Sequence, residues 1–505
     1  MTTSLYARLA ARFPDPSKVF LETHDGRTIT YGDLDAESAR MAGALMKLGV
    51  KPGDRVAVQV QKSAEALLLY LGCLRAGAVY LPLNTAYTLA ELGYFIGDAE
   101  PTVVVCDPAV REAVAALPEA KGVAAVETLD SAGRGTMADK AAGQFDTFAD
   151  VDRAGDDLAA ILYTSGTTGR SKGAMLTQDN LASNAEVLVD AWRFTAADVL
   201  IHALPIYHTH GLFVATNTLL MAGGTMLFLP KFDADAVLAL MPRATTMMGV
   251  PTFYTRLIDH PGLTREVTKT MRLFTSGSAP LLAETHRAFE ERTGHRILER
   301  YGMTETNMST SNPYEGERRA GTVGFPLPGV DLRIVDPDSG SELPQGEIGI
   351  IEVKGPNVFK GYWRMPEKTQ AEFRPDGFFI TGDVAMVDAD GYVHIVGRAK
   401  DLIISGGFNV YPKEVESEID AMEGVVESAV IGLPHRDFGE GVTAVVVLET
   451  GAALPEEHVQ AQLKQRLAAY KLPKRVFFVD ALPRNTMGKV QKNVLRDTYA
   501  KTYEG

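Results

Sequence analysis

Cysteine is scarce in this chain: only Cys73 and Cys106 occur among its 505 residues. Two cysteines cannot form a framework of disulfides, so the protein is expected in a reducing compartment, the cytoplasm. Long apolar runs are missing as well. The longest one near the start, ALLLYLGCL at 66–74, is too short to span a bilayer and predicts a buried helix. The first residues, MTTSLYARLAARF, lack the apolar core of a secretory signal.

Excess positive charge is also missing, because 50 Lys and Arg residues stand against 64 Asp and Glu residues and the formal net charge is -14. A chain this acidic is expected to bind neither nucleic acid nor an anionic membrane surface. A local cationic pocket for a small anion remains compatible with that balance. The length exceeds what one hydrophobic core holds, so two or more domains are expected.

Helix-like and strand-like segments alternate over 1–105 and again over 158–330, which predicts an α/β fold. Between them, 107–157 is polar and rich in Gly, Ala and Asp, and is predicted to be a surface insertion or a variable connection. Short segments punctuated by Gly and Pro dominate 331–397 and predict a mostly antiparallel or barrel-like subdomain.

The C-terminal residues alternate again and predict a small α/β domain that begins near Lys400. The expected fold class is therefore α/β. A large N-terminal domain at 1–399 would contain α/β subdomains plus a small β-rich subdomain, and a small C-terminal α/β domain would occupy 400–505.

The stretch ILYTSGTTGRSKGAM, at 161–175, is rich in Gly, Ser and Thr and follows an apolar run. A turn of this composition between a strand and a helix presents backbone N–H groups and hydroxyls in one concave arc, which favours a phosphate. Lys172 adds a positive charge. The Walker pattern does not fit, because no Gly-Lys-Ser/Thr occurs in the loop. The alternative interpretation is a flexible surface turn.

The segment YTSGTTGRSKG resembles the phosphate-loop signature of the acyl-adenylate-forming superfamily, which includes acyl-CoA synthetases, luciferases and the adenylation domains of peptide synthetases. The usual proline before the lysine is replaced by Ser171. Six further motifs resemble those of the family and occur in its order. They are PIYHTHG (205–211), SGSAPL (276–281), YGMTE (301–305), TGD (381–383), GRAKDLIISGG (397–407) and LPRNTMGKV (482–490).

This resemblance implies a two-step reaction. A carboxylate attacks the α-phosphate of ATP to give an acyl-adenylate and pyrophosphate, and the thiol of coenzyme A then displaces AMP. Between the steps the C-terminal domain of the family rotates. ATP, Mg2+ and coenzyme A are the expected cofactor and substrates, and Mg2+ would neutralise charge that gathers around the phosphates.

Site residues are carried over from the matching motifs. The expected catalytic residues are Lys489, Glu305, Thr304 and His208, with Glu305 as the magnesium ligand and His208 as a structural or gating group. The expected nucleotide site contains Thr164, Ser165, Gly166, Thr167, Thr168, Gly169, Lys172, Ser278, Ala279, Pro280, Glu299, Tyr301, Gly302, Met303, Thr304, Asp383, Arg398 and Lys489. The expected hinge and coenzyme A tunnel contain Lys400, Ser405, Gly406 and Gly407. The expected acid pocket contains Arg256, Arg300, Thr209, His210, Gly277, Ser278 and Met308.

Two arginines in the acid pocket would restrict the class of acid that the protein activates. A buried arginine costs several kcal/mol unless it is paired, and a second carboxylate on the substrate would supply the partner. This favours a dicarboxylic acid, of which malonate is the smallest, with methylmalonate as a secondary substrate. The segments LPIYHTHGLF, GVPTFYTRL and LERYGMTETNMSTSNPY also resemble malonate-activating members of the family.

Alternatives stay open at this level. Arg256 could face outward or pair with Asp259, and Arg300 could contact nucleotide or protein. The chain could activate another short or medium-chain acid or an aryl acid, serve a carrier protein, or be a non-catalytic nucleotide-binding relative. The loop PRNTMGK also resembles sites at which related synthetases are inactivated by lysine acetylation, which makes a lysine acetyltransferase and a deacetylase expected partners at Lys489.

Overall fold

The computed structural model describes residues 4–164, 171–405, 408–435, 438–467, 469–485 and 488–503. The strands are β1 Val19–Thr23, β2 Thr28–Thr30, β3 Arg55–Gln59, β4 Val79–Pro82, β5 Val103–Cys106, β6 Ala125–Thr128, β7 Leu158–Thr164, β8 Lys172–Thr177, β9 Val199–His202, β10 Thr225–Phe228, β11 Thr246–Gly249, β12 Leu273–Ser276, β13 Leu298–Met303, β14 Asn307–Ser311, β15 Phe325–Pro326, β16 Asp331–Val335, β17 Gly349–Lys354, β18 Gly361–Tyr362, β19 Phe379–Val387, β20 Val393–Arg398, β21 Ile403–Ser405, β22 Phe408–Val410, β23 Val425–His435, β24 Gly439–Leu448 and β25 Arg475–Val479.

The α-helices are α1 Leu5–Ala10, α2 Tyr31–Lys47, α3 Ala64–Arg75, α4 Leu89–Ala99, α5 Arg111–Ala115, α6 Thr136–Ala142, α7 Gln178–Ala191, α8 Thr218–Ala222, α9 Ala234–Leu240, α10 Pro251–Asp259, α11 Ala283–Thr293, α12 Pro366–Glu372, α13 Pro412–Asp420, α14 Glu456–Leu463 and α15 Lys492–Tyr499. A π-helix, His210–Asn217, precedes α8. Across the described ranges no helix is both long enough and apolar enough to cross a membrane.

Two large sheets form the N-terminal part. One has nine strands in the order β15-β14-β13-β12-β11-β9-β10-β1-β2, and its six central neighbours from β13 to β1 run parallel. The other has seven strands in the order β18-β8-β7-β4-β3-β5-β6, with β7 and β8 antiparallel. Helices bury their apolar faces against these sheets; for example, Leu69 and Leu71 of α3 are at most 1% exposed, which confirms the predicted buried helix.

The segment predicted as a surface insertion is instead part of the seven-stranded sheet. β6 pairs with β5 in parallel and forms the edge of that sheet. Met137 and Ala141 of α6 are buried in the main core, and Arg75 forms an ion pair with Asp150 at 2.6 Å. The segment is polar overall, but its few apolar residues are buried and are enough to anchor it to the core.

Two smaller sheets follow. β16, β17, β19 and β20 form an antiparallel sheet, which confirms the β-rich subdomain. The last sheet joins β21 to β25 in residues 403–479 and is covered by α13 and α15. The architecture is thus mixed α/β, with a large N-terminal and a small C-terminal domain, as predicted.

Candidate active site

The two strands that flank the phosphate loop are antiparallel neighbours, and Thr164 of β7 lies opposite Lys172 of β8. The predicted strand-to-helix turn is therefore wrong: β8 comes between the loop and α7 and pairs with β7 along its whole length. The predicted loop residues Ser165, Gly166, Thr167, Thr168 and Gly169 lie outside the described residues. The element that follows the loop is therefore β8 and not the N-terminus of a helix.

Glu305 lies in the turn between β13 and β14, next to Thr304, and is 5% exposed. Its Oε1 accepts a hydrogen bond from the Tyr362 hydroxyl at 3.0 Å and lies 3.5 Å from the Thr164 hydroxyl. Burial raises the pKa of the Glu305 carboxyl. The surrounding donors are oxygen atoms, the ligands that Mg2+ prefers.

Within the described ranges, no group of three or more His, Cys, Asp and Glu side chains could hold a metal by itself. A lone buried carboxylate fits an ion that shares its coordination with substrate phosphates. Glu305 is therefore suited to a magnesium ion that arrives with the nucleotide.

Asp383 is 3% exposed and lies opposite Arg398 across β19 and β20. Its Oδ1 is 2.5 Å from Arg398 Nε, and its Oδ2 accepts a hydrogen bond from the Tyr301 hydroxyl at 2.5 Å. Three residues from separate motifs, TGD, GRAKD and YGMTE, thus meet at one carboxylate. Gly302 and Met303 follow Tyr301 on β13.

Arg300 precedes Tyr301 and is 3% exposed. Its Nε and Nη2 atoms have no hydrogen-bond partner among the described residues. A Cβ atom on Gly277 would lie 2.2 Å from Nη1, so the guanidinium fills the space that the glycine leaves. Burial lowers the pKa of Arg300, as expected for a cation without a counter-charge.

The histidines of the YHTHG motif share this pocket. Burial and then the charge of Arg300 lower the pKa of His208 to about 4 and also lower that of His210. His210 begins the π-helix, a geometry often found at functional sites. Its Nδ1 lies 3.2 Å from the Ser278 hydroxyl. His208 Nδ1, His210 Nε2 and Thr209 Oγ1 have no hydrogen-bond partner in the part of the chain that the structure describes.

The loop after β12 closes the same pocket. Ser278 has φ of 70°, a strained value for a residue with a side chain, and is followed by Ala279 and Pro280. In the next residue, the N–H of Leu281 donates to Glu299 Oε1 at 3.2 Å, and burial raises the pKa of Glu299 to about 8. Opposite the loop, the Met308 methyl lies close enough to Gly302 to meet a Cβ there at 2.7 Å. Several buried polar atoms in this region thus lack a hydrogen-bond partner among the described residues.

Arg256 does not join Arg300. It is exposed on α10 and lines an open cleft of about 300 Å³, which also contains Arg484, Asn485 and Gly488. Tyr254, two positions earlier, faces inward and is fully buried. The expectation that Arg256 lies in a buried pocket is wrong, because two positions along a helix turn a side chain by about 200°. Its predicted role in acid binding stays a prediction.

Lys489 lies on a short hairpin-like loop. Its N–H donates to Asn485 Oδ1 and its carbonyl accepts from the Asn485 N–H, both at 2.9 Å. Gly488 takes φ of 75°, and a Cβ there would lie 3.3 Å from Thr252, so the loop packs against the N-terminal domain. Desolvation, followed by the charge of Arg398, lowers the pKa of Lys489 to about 8. The loop thus brings Lys489 into electrostatic reach of the Asp383 carboxylate, although the residue as a whole is exposed.

The predicted hinge residue, Lys400, lies in a 3-10 turn, Ala399–Asp401, between β20 and β21. Asp401 Oδ1 is 2.5 Å from Arg496 Nη2 of α15. Ser405 ends β21 and pairs with Gly439. The other two predicted tunnel residues, Gly406 and Gly407, lie outside the described residues.

Sequence reasoning missed Tyr362 and Glu372. The Tyr362 hydroxyl lies 3.0 Å from Glu305 Oε1 and 2.7 Å from Glu372 Oε2, and Glu372 Oε1 lies 3.3 Å from Lys172 Nζ. The only signal in the sequence was a polar segment, GYWRMPEKTQAEF, with no motif of recognised chemistry. Its place depends on the two-residue strand β18, which pairs with β8.

Comparison with known families agrees with this geometry. The family described as AMP-binding enzyme matches residues 6–363, and the AMP-binding enzyme C-terminal domain matches 414–489. The first match covers more than half of the chain. The chain therefore belongs to the AMP-binding enzyme family, and the predicted resemblance to the acyl-adenylate-forming superfamily is confirmed.

Individual relatives cover nearly the whole chain. A malonate–CoA ligase of Arabidopsis thaliana is 35% identical over 94% of this chain and 85% of that protein. A feruloyl-CoA synthase of an Amycolatopsis species is 39% identical over 94% of each. Among solved structures, ATP-bound MatB from Rhodopseudomonas palustris is 66% identical over 100% of both chains, with a TM-score of 0.98.

Proposed function

We propose that this protein joins malonate to coenzyme A with ATP, through a malonyl-adenylate, and releases malonyl-CoA, AMP and pyrophosphate. The observation that carries the proposal is Arg300, a buried arginine with two unpaired donors. A buried cation without a partner is strongly unfavourable, and a second carboxylate on the substrate would pair with it. The malonate–CoA ligase of Arabidopsis thaliana and the similarity to MatB support the same substrate class.

In the first step the carboxylate oxygen of malonate would attack the α-phosphorus of ATP, and the bond to the bridging oxygen of pyrophosphate would break. Asp383 would accept hydrogen bonds from the ribose hydroxyls, and Arg398 would contact ribose or phosphate. Lys172 would hold the leaving pyrophosphate, together with Thr167 and Thr168 of the loop. Lys489 would bridge the attacking carboxylate and the α-phosphate and stabilise the charge that develops there.

Mg2+ would be held by Glu305 and the phosphates, and when bound it would neutralise negative charge on the triphosphate. Thr164 would orient the Glu305 carboxylate through its hydroxyl. Ser278 and the following loop would contact the adenine. The surroundings of two carboxylates support their roles: the Thr164 and Tyr362 hydroxyls lie within 3.5 Å of Glu305, and the Tyr301 hydroxyl and Arg398 Nε each lie 2.5 Å from Asp383.

In the second step the thiol of coenzyme A would attack the acyl carbon of the adenylate, and AMP would leave. The C-terminal domain at 400–505 would rotate about Lys400, withdraw Lys489 and place Ser405, Gly406 and Gly407 along the tunnel for the thiol arm. Support comes from the position of Lys400 in a short turn between two sheets that belong to different domains.

Thr209 and Met308 would limit the substituent at C2 of the acid, so methylmalonate would react more slowly than malonate. The feruloyl-CoA synthase among the relatives is the specific observation that favours a second candidate, ligation of an aryl acid. That candidate requires an apolar slot, whereas the described pocket contains Arg300 and two histidines.

The test is the release of AMP that depends on ATP, coenzyme A and acid, across malonate, methylmalonate, succinate, acetate, octanoate, benzoate and ferulate. Arg300→Met is expected to lower kcat/KM for malonate by about a hundredfold or more, because an ion pair in a desolvated pocket is lost. Acetate turnover is expected to change far less. Arg256→Ala, at the exposed arginine on α10, tests separately the predicted role of Arg256 in acid binding, and an unchanged malonate preference in this variant would remove that role.

If a monocarboxylate is the preferred acid for the wild type, the dicarboxylate proposal is wrong while adenylation survives. If Arg256→Ala removes the preference and Arg300→Met does not, the two arginines have the opposite roles.

We further propose that acetylation of Lys489 switches the enzyme off, with a lysine acetyltransferase and a deacetylase as partners in the cytoplasm. The exposed loop supports access, and both cysteines are free and buried, as in a reducing compartment. Enzyme acetylated at Lys489 is expected to lose malonyl-adenylate formation and to keep thioester formation from supplied malonyl-adenylate. Full ATP-dependent activity after complete acetylation, checked by mass spectrometry, would refute this switch.

A further inference from the structure

The ammonium group of Lys172 lies against two groups that come from a later part of the chain. Its Nζ is 3.3 Å from Glu372 Oε1 and 4.0 Å from the centre of the Tyr362 ring. The side chains of Lys172 and Glu372 are 12% and 20% exposed, so water and salt screen this pair less than a surface pair. Lys172 is also the first residue of β8, directly after the phosphate loop.

Glu372 has two closer partners. Lys368 Nζ lies 2.7 Å from Oε1, and the Tyr362 hydroxyl donates to Oε2 at 2.7 Å. Burial raises the pKa of the Glu372 carboxyl, but the hydrogen bonds from Lys368 and Tyr362 outweigh it and hold the pKa below its usual value. Lys172 is thus the most distant of three partners of an ionised carboxylate.

Because Glu372 has two other partners, Lys172 can move away without leaving the Glu372 carboxylate unpaired. If Lys172 moved to a phosphate, Glu372 would keep a cation and a hydroxyl donor, whereas a carboxylate with a single partner would be left unpaired. Tyr362 would also stay in place, because its hydroxyl is shared with Glu305 at 3.0 Å.

We propose that Glu372 is a positioning residue that holds Lys172 while the nucleotide site is empty and gives it up to the phosphates when ATP binds. Glu372 and the phosphates then compete for one ammonium group, and the return of Lys172 to Glu372 favours release of pyrophosphate. This inference rests on the proposed function in one respect, the role of Lys172 in holding the pyrophosphate group.

If Glu372 and the phosphates compete for Lys172, the variants Glu372→Gln and Lys368→Gln are expected to change the Kd for ATP and pyrophosphate in opposite directions. In Glu372→Gln the competing charge is gone while an acceptor for Tyr362 remains, so the Kd for ATP and the Kd for pyrophosphate are both expected to fall about three- to tenfold. In Lys368→Gln the carboxylate loses its closer cation and holds Lys172 more firmly, so both constants are expected to rise by a similar factor. The double variant is expected to match Glu372→Gln, because Lys368 acts only through Glu372.

The experiment is calorimetric titration of the full-length variants with ATP and Mg2+, and separately with pyrophosphate and Mg2+, without any acid. Lys360→Gln, a lysine on the same segment that contacts the Asp156 carbonyl instead, is the matched charge control and is expected to bind as the wild type does. Thermal unfolding of each variant checks that it is folded.

A purely structural role for Glu372 would weaken binding in both single variants, and shifts of the same sign would overturn the proposal. Lys172→Met separates the two hypotheses. If it leaves the affinity for ATP and pyrophosphate unchanged, the proposed role of Lys172 is wrong whatever Glu372 does. If it weakens both and the Glu372 and Lys368 variants do not diverge, only the competition is wrong.

Discussion

Lys489 is one residue whose charge the proposed first step requires. Desolvation and the charge of Arg398 lower its pKa to about 8. Because the folded-state pKa of this amine is depressed and the charged form is the active one, activity is present below about pH 8 and is lost as the pH rises through that value. The kcat/KM for ATP in malonyl-adenylate formation is expected to fall about tenfold per pH unit above it.

Two comparisons isolate Lys489 in this profile. Thioester formation from supplied malonyl-adenylate is expected to show no such fall, since the proposed rotation would withdraw the lysine in that step. Lys489→Arg keeps its charge over this range, so its remaining activity is expected to stay level through pH 8. A fall at the same pH in the arginine variant would assign the titration to another group.

The arginines show what single residues in a sequence can reveal. Arg300 follows a buried strand pattern and its burial was expected, yet its missing partners are visible only once the neighbouring strands and the loop at Gly277 are assembled. Arg256 is four residues after Thr252 and two after Tyr254, and the helical period alone places it opposite the buried tyrosine. The sequence therefore contained the signal that Arg256 is exposed, because the helical period of 3.6 residues separates it from the buried face.

At the level of elements, the loop between β25 and α15 is supported from one side by β23. Arg484 pairs with Glu427 of β23 and also donates to the Gly488 carbonyl, one residue before Lys489. The pair is partly buried, with side chains 32% and 22% exposed. Glu427 is thus placed to fix the loop that contains Lys489, the proposed catalytic lysine.

Glu427→Gln is expected to slow malonyl-adenylate formation by about ten- to a hundredfold, because a small displacement of a catalytic group has effects of this size. The thioester step is expected to change little. Arg466→Ala, which removes an exposed ion pair with Glu418 elsewhere in the same domain, is the control. Single-turnover assays measure the rates of the two half-reactions separately. An equal loss of rate in the two steps would mean that Glu427 stabilises the domain and does not position the loop.

Elements could be predicted well where the pattern is local. The capping box of α2, in which Thr30 and Asp33 exchange hydrogen bonds of 2.9 and 3.1 Å, follows from Asp33 near the start of a helical period. Strands β3 and β5 follow from apolar runs. β6 and β18 could not be predicted, because two to four residues become a strand only through pairing with distant neighbours.

At the level of the whole molecule, the relation between the two domains is the property that the proposed reaction uses. Lys489 reaches the N-terminal site while Lys400 lies in a turn between the last strand of one domain and the first of the other. Lys400 is the second residue of this 3-10 turn, where a backbone N–H has no hydrogen-bond acceptor inside the turn itself. A proline would therefore restrict φ at this position without removing such a bond.

Lys400→Pro is expected to keep malonyl-adenylate formation within about threefold and to slow thioester formation on the order of a hundredfold, since the proposed rotation would be needed only for the second step. The two half-reactions are measured separately, and Lys400→Ala is the control for loss of the side chain. A thioester rate unaffected by proline would place the hinge elsewhere in the chain.

Gly277 has a consequence for how substrate preference can change over evolution. A single methyl group at this position would occupy the space now taken by the Arg300 guanidinium, 2.2 Å from Nη1. One base change in a glycine codon would therefore be expected to displace the arginine while every residue of the proposed nucleotide site stays the same. If Arg300 selects dicarboxylic acids as proposed, the size of one side chain at this position would be enough to change the preferred acid without any change in the residues assigned to adenylation.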